Sequence, residues 1–553
     1  MFVNTKISRG NIFNFWNVFS LLLLFVIFLP IGYVFSTLFQ SFNPIWTHLI
    51  DTVLLEYVLT SIFLTIGVIF GSLLLGIPTA WLVSNCDFPL KKFFGWCLLL
   101  PFALPSYVLA YTMTDMFSSY GSVNHFFQFL FNDQDIYVPN IRNIWGAIIT
   151  LSLVFYPYIY LLARATFLRQ SISMVEASRT LGKSPLESFV GISLPIARPA
   201  IFAGIALVGM ETLSEFGAVE HFALYTLTTG IYQTWFGLGD LKTACQLSSF
   251  LLLSVMIFLI VENYMRVNMR FDNSTSTYRP IPLYKLNKTK SFMALTICTI
   301  PILFGFLFPS IQLVSNAISY GGVFVEELFI SAAINSLMLG LISSLLIVFL
   351  SLILVYGSRI NKNITIKTIS KLCTLGYGTP GLVLGVGILV ILTGVDHEIY
   401  DLQKRFMGDD FNGKLILTGS AIGLLLAYLV KFFALSFNNL DSGLAQVTTN
   451  MEDAARTLGL NKYSVLRKVH IPLLKVSLLT ALIMVFLEVI QELPATLILR
   501  PFNFETLATV TYMYASDERM IQAAAPSLAI VLISLIPLIA INNIISKSRE
   551  RKV

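Results

Sequence analysis

The sequence predicts an all-α polytopic membrane protein with about twelve transmembrane helices in two parallel six-helix repeats. Three observations lead to this prediction. The 553 residues are 56% hydrophobic and only 12% charged, whereas a soluble domain carries about 25% charged residues. Apolar runs close to the ~20 residues that cross a bilayer recur along the whole chain. The two halves of the chain also share residues at matched positions.

Twelve apolar windows give the candidate helices, because a helix satisfies its own backbone hydrogen bonds in lipid. In the first half they lie near residues 17–39, 54–84, 93–117, 144–168, 197–216 and 245–265. In the second half they lie near 292–315, 330–357, 370–394, 414–438, 474–491 and 523–546. We therefore assign one half to residues 1–266 and the other to 292–553, joined by a polar, basic, proline-containing cytoplasmic linker over 267–291.

The basic residues set the predicted orientation. With the N-terminus inside, 29 of the 36 Lys and Arg residues fall in inner segments, one of which runs from Lys431 to Lys475. The outer segments hold Arg142, Lys242, Lys404, Arg405, Lys414, Arg500 and Arg519. This asymmetry follows the positive-inside rule and predicts that both termini are cytoplasmic. Anionic lipid headgroups then account for the net charge of +6, and no nucleic-acid partner is expected.

A tandem duplication explains the two halves. Residues 176–182 read EASRTLG, and residues 453–459, which lie 277 positions later, read DAARTLG. At that offset Pro195 matches Pro472, Glu211 matches Glu488, and Glu215 matches Glu492. Earlier in each half the offset is 275, where Ser61 matches Ser336 and Pro105 matches Pro380. Later, TLTTGIY at 226–232 matches TLATVTY at 506–512. An even number of spans in each repeat gives both halves the same orientation.

Each half carries a long polar segment between its fourth and fifth spans, on the predicted cytoplasmic side. The candidate coupling residues are Glu176, Ala177, Gly182, Leu194 and Pro195 in the first segment, and Asp453, Ala454, Gly459, Ile471 and Pro472 in the second. The acidic residue suits the first turn of a short helix, and the glycine suits its end. A second amphipathic stretch leads to the proline, which can open the next helix. Such a segment predicts a docking site for a partner's groove.

These segments resemble the cytoplasmic loops of bacterial ABC-importer permeases, in which EAA is followed by three residues, Gly, nine residues and Ile-x-Leu-Pro. The first segment fits from Glu176 to Pro195, whereas the second has Asp453 for the Glu and Val-His-Ile-Pro at 469–472. The resemblance implies the type I permease fold and a separate homodimeric ATP-binding subunit that docks on both loops. The alternative is an ordinary connecting loop with a helical hairpin.

The chain itself is expected to bind no ATP. Gly182-Lys183-Ser184 matches the end of a phosphate-binding loop, but that motif requires a glycine five residues earlier, where the chain has Ala177. We therefore expect a non-catalytic subunit with no cofactor of its own, whose partner binds ATP. No catalytic residues or metal ligands are assigned, because the five histidines are dispersed along the chain.

Four carboxylates form two pairs with the same spacing: Glu211 with Glu215, and Glu488 with Glu492. A spacing of four residues predicts one shared helix face. Glu211 lies 16 residues after Pro195, about 24 Å along a helix, where a charge is expensive unless it faces a cavity or a partner. One hypothesis places all four at the outer mouth of a translocation path for a hard cation or a positively charged solute. The alternative places them in the outer interface, or pairs them with Arg500 or Lys242.

The segments that follow these acids, METLSEFGAVEHFALYTLTTGIYQTWF (210–236) and EVIQELPATLILRPFNFETLATVTYMYASDER (488–519), look like those of ferric-iron permeases. That resemblance implies a bacterial inner-membrane importer of Fe(III), supplied by a periplasmic iron-binding protein that holds most of the iron ligands. Relatives in the same group carry thiamine, 2-aminoethylphosphonate or polyamines, which remain alternatives. Tyr225, Tyr232, Tyr512 and Tyr514 can be iron ligands or interfacial anchors.

Glycine and proline punctuate the third span of each half, in PFALPSYVLAY (101–111) and GYGTPGLVLGVG (376–387). Such breakers can mark bent helices beside a transport path. Small residues such as Gly381, Gly385 and Gly387 can also simply allow close helix packing. A protein of a different class, a secondary transporter of the major facilitator type, also has twelve spans in two parallel repeats. Such a transporter has no need of two long loops for a partner.

Overall fold

The computed structural model describes residues 15–133, 137–169, 180, 182, 184–268, 283–322, 324, 326–361, 364–407, 415–445 and 447–550. Over these residues the chain is helical apart from short connections and two strands of two residues each. Those strands, Cys86–Asp87 and Tyr284–Lys285, pair in parallel with Cys86 opposite Tyr284. The all-α membrane fold predicted from composition is confirmed.

The helices of the first half are Phe15–Ser36, Pro44–Thr52, Leu54–Asn85, Lys91–Cys97, Ser106–Met116, Ser122–Phe131, Ile144–Arg169, Pro185–Ser188, Leu194–Ser214, Gly217–His221, Leu227–Tyr232 and Leu241–Asn268. Those of the second half are Lys288–Ile302, Phe308–Tyr320, Glu327–Ile360, Ile364–Cys373, Gly381–Met407, Ala421–Ala445, Thr449–Thr457, Lys462–Val465, Ile471–Gln491, Pro494–Leu499, Leu507–Ser516 and Met520–Glu550. Turns of π-helix occur at Phe189–Ser193, Gln233–Gly237, Leu303–Leu307 and Leu466–His470. Turns of 3₁₀-helix occur at Thr37–Phe39, Leu100–Ala103 and Thr374–Gly378.

Ten helices in the described part of the chain are long and apolar enough to cross a bilayer, against the twelve predicted. The count becomes eleven when the bent pair Lys91–Ala103 and Ser106–Met116 is taken as one span. The last predicted span, near 523–546, corresponds to the helix Met520–Glu550, in which the stretch Met520–Ile536 is apolar. The bent pair of the first half and the last helix thus account for the difference between the twelve windows and the ten helices.

The third span of each half is broken, as the glycine and proline pattern suggests. In the first half the chain turns by 90° between Ala103 and Ser106, because Pro105 donates no backbone hydrogen bond and disfavours helix in the residue before it. In the second half the predicted span 370–394 is divided by a 3₁₀ turn at Thr374–Gly378. A long helix begins only at Gly381.

The glycines of the second half's third span also serve close packing. A Cβ atom on Gly385 would approach the side chain of Ile498, and one on Gly387 would approach the carbonyl of Pro30. Both contacts lie well inside van der Waals distance. This span is therefore both broken, at the 3₁₀ turn Thr374–Gly378, and closely packed, at Gly385 and Gly387.

The helices pack into two compact units that do not follow the sequence halves. One unit comprises Met1–Phe39 and Ile334–Phe504, and the other comprises Gln40–Ala333 and Glu505–Val553. The first helix of each half is thus packed among helices of the other half. In one unit Phe15–Ser36 packs against Gly381–Met407, and in the other Phe308–Tyr320 packs against Ser106–Met116. The ranges 1–266 and 292–553 are the predicted repeats of the duplicated sequence. Each compact unit, by contrast, contains helices from both ranges.

Candidate functional site

The second predicted docking segment has the predicted helix–glycine–helix shape. Asp453 and Ala454 lie exposed in the helix Thr449–Thr457. Gly459 follows with a φ of 84°, a left-handed conformation that glycine adopts at little cost. Gly459 is exposed, and no atom lies within 4 Å of a Cβ placed on it. The local shape is present, and the role of this surface in docking stays a prediction.

The first docking segment is described only in part. Glu176 and Ala177 lie outside the described residues. Gly182 is exposed with a φ of 73°, matching Gly459 in conformation. Ser184 and Glu187 then form a capping box, in which the Ser184 N–H donates to Glu187 Oε2 at 2.8 Å and the Glu187 N–H donates to Ser184 Oγ at 3.3 Å.

Both segments lead into a long helix through the same backbone device. In each half a short α-helical turn continues into five residues of π-helix, and the long helices then begin at Leu194 and Ile471. Pro195 and Pro472 occupy the first positions of these helices. Because proline lacks the N–H of a regular helical hydrogen bond, the turn before it widens. Both helices have 21 residues and begin 277 positions apart, which is the offset of the duplication.

A partly buried ion pair, which could not be predicted from the sequence, anchors the second segment. Arg359 Nε donates to Glu452 Oε1 at 2.9 Å, and its Nη2 donates to the carbonyl of Val447 at 2.5 Å. His470 Nε2 lies 3.5 Å from the same carboxylate oxygen. The first half has Val175 at the position that matches Glu452. Comparison of the repeats therefore offered no signal for this pair.

Two of the four predicted carboxylates cap short helices. Glu215 and Glu492 each have extended backbone immediately after a 21-residue helix. Glu215 Oε1 accepts the N–H of Ala218 at 3.0 Å, and Glu492 Oε1 accepts the N–H of Ala495 at 3.2 Å. The prediction that each pair shares one helix face is wrong, because the helix ends before the second acid. That acid instead binds the unpaired N–H groups at the start of the next helix.

The second oxygen of each capping carboxylate has a different partner in the two halves. Glu215 Oε2 accepts the hydroxyl proton of Ser106 at 2.6 Å, whereas Glu492 Oε2 accepts from Lys431 Nζ at 2.5 Å. At the offset of 275, Gly381 stands where the first half has Ser106. Lys431 lies within the helix Ala421–Ala445, so its assignment to a cytoplasmic segment is wrong.

The other two predicted carboxylates, Glu211 and Glu488, are half-buried in the last turn of the two 21-residue helices. Glu211 and Glu215 belong to one compact unit, and Glu488 and Glu492 belong to the other. Each pair is therefore placed within its own unit. The role of the four acids at a translocation path stays a prediction.

A cavity of about 130 Å³ lies in the unit that contains Gln40–Ala333 and Glu505–Val553. Polar side chains from both sequence halves line it: Tyr111, Arg142, Glu220, His221, Tyr512 and Ser516. The helix Leu194–Ser214 rises about 30 Å from the first docking segment, and Glu220 and His221 follow in the next short helix. The cavity therefore lies at the end of this unit opposite to the docking segment.

The acidic and aromatic side chains of the cavity are connected by hydrogen bonds. The hydroxyl of Tyr512 hydrogen-bonds with the carboxylate of Glu220 and with Tyr232. His221 Nε2 lies 2.6 Å from the hydroxyl of Thr114. The imidazole packs edge-on against the ring of Tyr111, with centroids 4.6 Å apart.

The guanidinium of Arg142 joins the cavity to its rim. Its Nε donates to the carbonyl of His221 at 2.7 Å, and its Nη1 lies 3.1 Å from Glu518 Oε1. Among the predicted tyrosines only Tyr512 lines the cavity, since Tyr514 bonds Glu326 and Tyr225 packs beside Tyr57. The remaining lining residues could not be predicted from the sequence, in which the isolated positive charge of Arg142 in an outer segment is the one indication of this place.

Two titratable side chains of the cavity, Glu220 and His221, lie outside the candidate spans. Burial shifts the pKa of both. Burial raises the pKa of Glu220, and the hydrogen bond from Tyr512 opposes that rise. Burial and then the charge of Arg142 lower the pKa of His221 to about 3, so the imidazole is neutral near pH 7. In the described part of the chain, no three His, Cys, Asp or Glu side chains form a metal-binding group. Any metal held here would depend on phenol oxygens.

Comparison with known proteins finds one family model and several transport system permeases that match this chain. The model of the family described as "Binding-protein-dependent transport system inner membrane component" matches residues 72–267 and again residues 357–551. An Fe(3+)-transport system permease protein of Haemophilus influenzae is 26% identical over 488 residues, which cover 87% of this chain and 88% of that protein. A sulfate transport system permease protein of Salmonella typhimurium is 28% identical over 35% of this chain and 68% of that protein. A molybdate/tungstate transport system permease protein of Methanocaldococcus jannaschii is 28% identical over 46% of this chain and 96% of that protein.

Proposed function

This chain belongs to the family of binding-protein-dependent transport system inner membrane components, and from that premise we propose that it is the permease subunit of an ABC importer for ferric iron. The two separate matches to the family model confirm the duplication predicted from the loops. The resemblance to ABC-importer permeases is confirmed in the same way.

One observation carries the proposal of iron. The similarity to the Fe(3+)-transport permease of Haemophilus influenzae runs through both halves, over 87% of this chain. The sulfate and molybdate/tungstate permeases match only 35% and 46% of the chain, and a spermidine/putrescine permease of Escherichia coli matches 31%. A protein that shares the fused two-half organisation is the better guide to cargo than one that shares a single half.

The exposed helix–glycine–helix segment of the second half and the exposed segment that begins at Gly182 in the first half are the proposed docking sites for a separate ATP-binding subunit. Apolar side chains stand exposed beside each glycine: Leu186 and Val190 in the first, and Met451, Leu458 and Tyr463 in the second. A partner that covers them would bury apolar area, which is the main favourable term in association. Two similar segments suit a homodimeric partner that offers two similar grooves. That partner, and not this chain, would bind ATP.

The distribution of charge supports the proposed orientation in the bacterial inner membrane. The docking segments carry the basic excess that marks the cytoplasmic side, and in the proposed orientation both termini are inside. The cavity then lies on the outer side, where a periplasmic binding protein would deliver its cargo. Closure of the ATP-binding subunits would move both loops and switch the permease between outward and inward access.

The cargo is tested most simply on the substrate-binding protein encoded with this chain. That protein, purified without added ligand, should retain ferric iron, detected by metal analysis of the protein peak. Sulfate, molybdate, thiamine or a polyamine in place of iron would contradict the proposed cargo and leave the membership in the importer family unchanged.

The docking proposal is tested by replacing Gly459 with valine. The substitution strains a left-handed backbone position and adds a branched side chain to the exposed turn, so the ATP-binding subunit should no longer co-purify. Gly419 is a matched control, because it is exposed with a φ of 80° and no atom within 4 Å of a Cβ, in the turn before the helix Ala421–Ala445. Equal loss of the ATPase in Gly459→Val and Gly419→Val would contradict a docking role.

A further inference from the structure

We propose that the cavity lined by Tyr111, Glu220, His221 and Tyr512 is a cargo-binding site of the permease itself, which receives Fe(III) through two phenolates, a carboxylate and an imidazole. This inference rests on the proposed function and adds a site to it; of the four residues, the sequence raised only Tyr512 as a possible iron ligand. The ion is the transported substrate at this site and not a resident cofactor.

The donor atoms suit a hard, highly charged cation. Hard cations prefer oxygen ligands such as carboxylates, and imidazole also suits iron. Tyrosine oxygen is itself a ligand of iron in some haem proteins. Two tyrosines, Tyr111 and Tyr512, line the cavity together with Glu220 and His221. No three His, Cys, Asp or Glu side chains meet here, so the phenols distinguish this cavity from a zinc site.

The hydroxyl of Tyr111 provides an independent indication of a missing ligand. Tyr111 is 4% exposed, and its hydroxyl oxygen is buried with no hydrogen-bond partner among the described residues. Leaving a buried donor unsatisfied costs about 1–3 kcal/mol, so such groups are uncommon unless something else binds them. The ring of Tyr111 lines the cavity beside His221.

The hydroxyl of Thr114 fixes the tautomer of the neutral His221 imidazole and leaves one ring nitrogen with a lone pair. The hydroxyl of Thr114 has carbonyl acceptors at Ala110 and Tyr111, 3.0 and 2.9 Å away. Since its single proton is donated there, its oxygen accepts the Nε2–H of His221 at 2.6 Å. The lone pair is then on Nδ1. Metal-binding histidines usually have the second nitrogen held by such an outer hydrogen bond.

The charges favour a cation over an oxyanion, although Arg142 and the hydroxyl of Ser516 also line the cavity. Arg142 already pairs with Glu518, outside the lining, and with a backbone carbonyl, so the two carboxylates Glu220 and Glu518 exceed the one cation by one negative charge. Binding of Fe(III) would release the two phenol protons to water, since ligands must be deprotonated. Two phenolates and one carboxylate then balance the three charges of the ion, with no change in its oxidation state.

The volume also fits an ion better than an organic cargo. The cavity of about 130 Å³ holds an ion with a few water molecules, whereas sites for small organic molecules measure about 300–1,000 Å³. Thiamine and polyamines, the alternatives raised by the sequence, are therefore poorly matched to this place.

The test uses the purified permease–ATPase complex in lipid nanodiscs, with ferric nitrilotriacetate as the probe. Wild-type complex should retain iron after desalting and show the visible phenolate-to-iron charge-transfer band. Tyr111→Phe and Tyr512→Phe should each weaken iron binding by at least roughly tenfold, and Thr114→Val, which frees the imidazole, by about 10–100-fold. Tyr225→Phe, a tyrosine of the same unit that lies outside the cavity lining, should bind iron as the wild type does. Co-purification of the ATPase confirms that each variant is assembled.

Transport separates failure of the site from failure of the proposed function. Proteoliposomes of the complex, supplied with the iron-loaded binding protein and ATP, should take up iron at least roughly tenfold more slowly in Tyr111→Phe/Tyr512→Phe than in Tyr225→Phe. Normal uptake by the double variant, with no charge-transfer band in the wild type, would overturn the site and leave the iron importer standing. Retention of sulfate or molybdate in place of iron, lost in the same variants, would overturn the cation site. Uptake of another solute with no iron would overturn the proposed function itself.

Discussion

Lys431 Nζ lies 2.5 Å from Glu492 Oε2 within one compact unit of the protein. Lys431 stands inside a candidate span, where a cation is costly unless it is paired. In the matched place of the first half, the equivalent acid Glu215 binds the hydroxyl of Ser106 instead. The duplication has therefore kept the helix-capping carboxylate in both halves and changed the partner of its second oxygen, from a hydroxyl to a cation.

Replacing Lys431 with methionine should destabilise the protein. The carboxylate of Glu492, whose side chain is 6% exposed, would lose its cation while remaining buried. Breaking a buried pair from one side costs about 3–5 kcal/mol, which chemical unfolding of the purified permease in mixed micelles would measure. Lys431→Met/Glu492→Gln should recover most of that loss, and Lys475→Met, at an exposed position, should change stability by less than about 0.5 kcal/mol. A double variant as unstable as the single one would contradict the pairing.

Gly381→Ala should also lower stability, because the new methyl group would meet Glu492 Oε1 and displace the helix cap. Overpacking of this kind costs about 1–3 kcal/mol. Gly394 lies in the same helix with no atom within 4 Å of a Cβ, so Gly394→Ala should raise stability by up to about 1 kcal/mol. We therefore predict that the two substitutions change the stability in opposite directions. The unfolding midpoints of the two variants measure this. Equal shifts would mean that helix propensity alone decides both.

Two matched threonine caps should contribute equally to stability. Thr226 and Thr506 each form a capping box with the threonine three residues later, and in both the N-cap N–H donates to that hydroxyl at 2.8 Å. Thr226→Val and Thr506→Val should each cost about 1 kcal/mol in the same unfolding measurement. Thr480→Val is the control, since its exposed hydroxyl bonds only a carbonyl of its own helix. A cost at one cap without the other would show that the repeats differ here in packing.

Glu452→Gln should loosen the second docking segment and leave the first unchanged. The neutral amide cannot balance Arg359, so the segment loses a charge-assisted hydrogen bond worth about 1.5–3 kcal/mol. Amide hydrogen exchange should become faster by roughly tenfold or more over residues 447–460. Exchange over residues 184–194 serves as the control within the same sample. Faster exchange in both segments would indicate a general loss of stability instead of a local anchor.

The fold class and the duplication could be predicted from the sequence because both depend on patterns that are visible along the chain itself. Bilayer thickness sets the length of an apolar run, and the repeat keeps Gly182 with Gly459 and Pro195 with Pro472 at one offset. The helix–glycine–helix shape followed from the same residues, since a positive φ is cheap only for glycine.

The side-chain partners could not be predicted in this way. Glu211 and Glu215 have the spacing of one helix face, yet the helix ends at Ser214 because Glu215 caps the helix that follows. The pair of Lys431 with Glu492 has no counterpart in the first half, so the repeat gave no hint of it. The cavity joins Tyr111 to Tyr512, about 400 positions apart, through the exchange of helices between the two halves. Such contacts are set by packing and not by local sequence.

The most direct measurement is ATP-dependent uptake of radioactive iron into proteoliposomes that contain this chain and its ATP-binding subunit, supplied with the cognate binding protein. The account predicts uptake of Fe(III) that requires ATP and the binding protein, and that excess sulfate, molybdate and spermidine do not reduce. Uptake that proceeds without ATP on a proton gradient, or iron uptake abolished by one of those competing solutes, would contradict it.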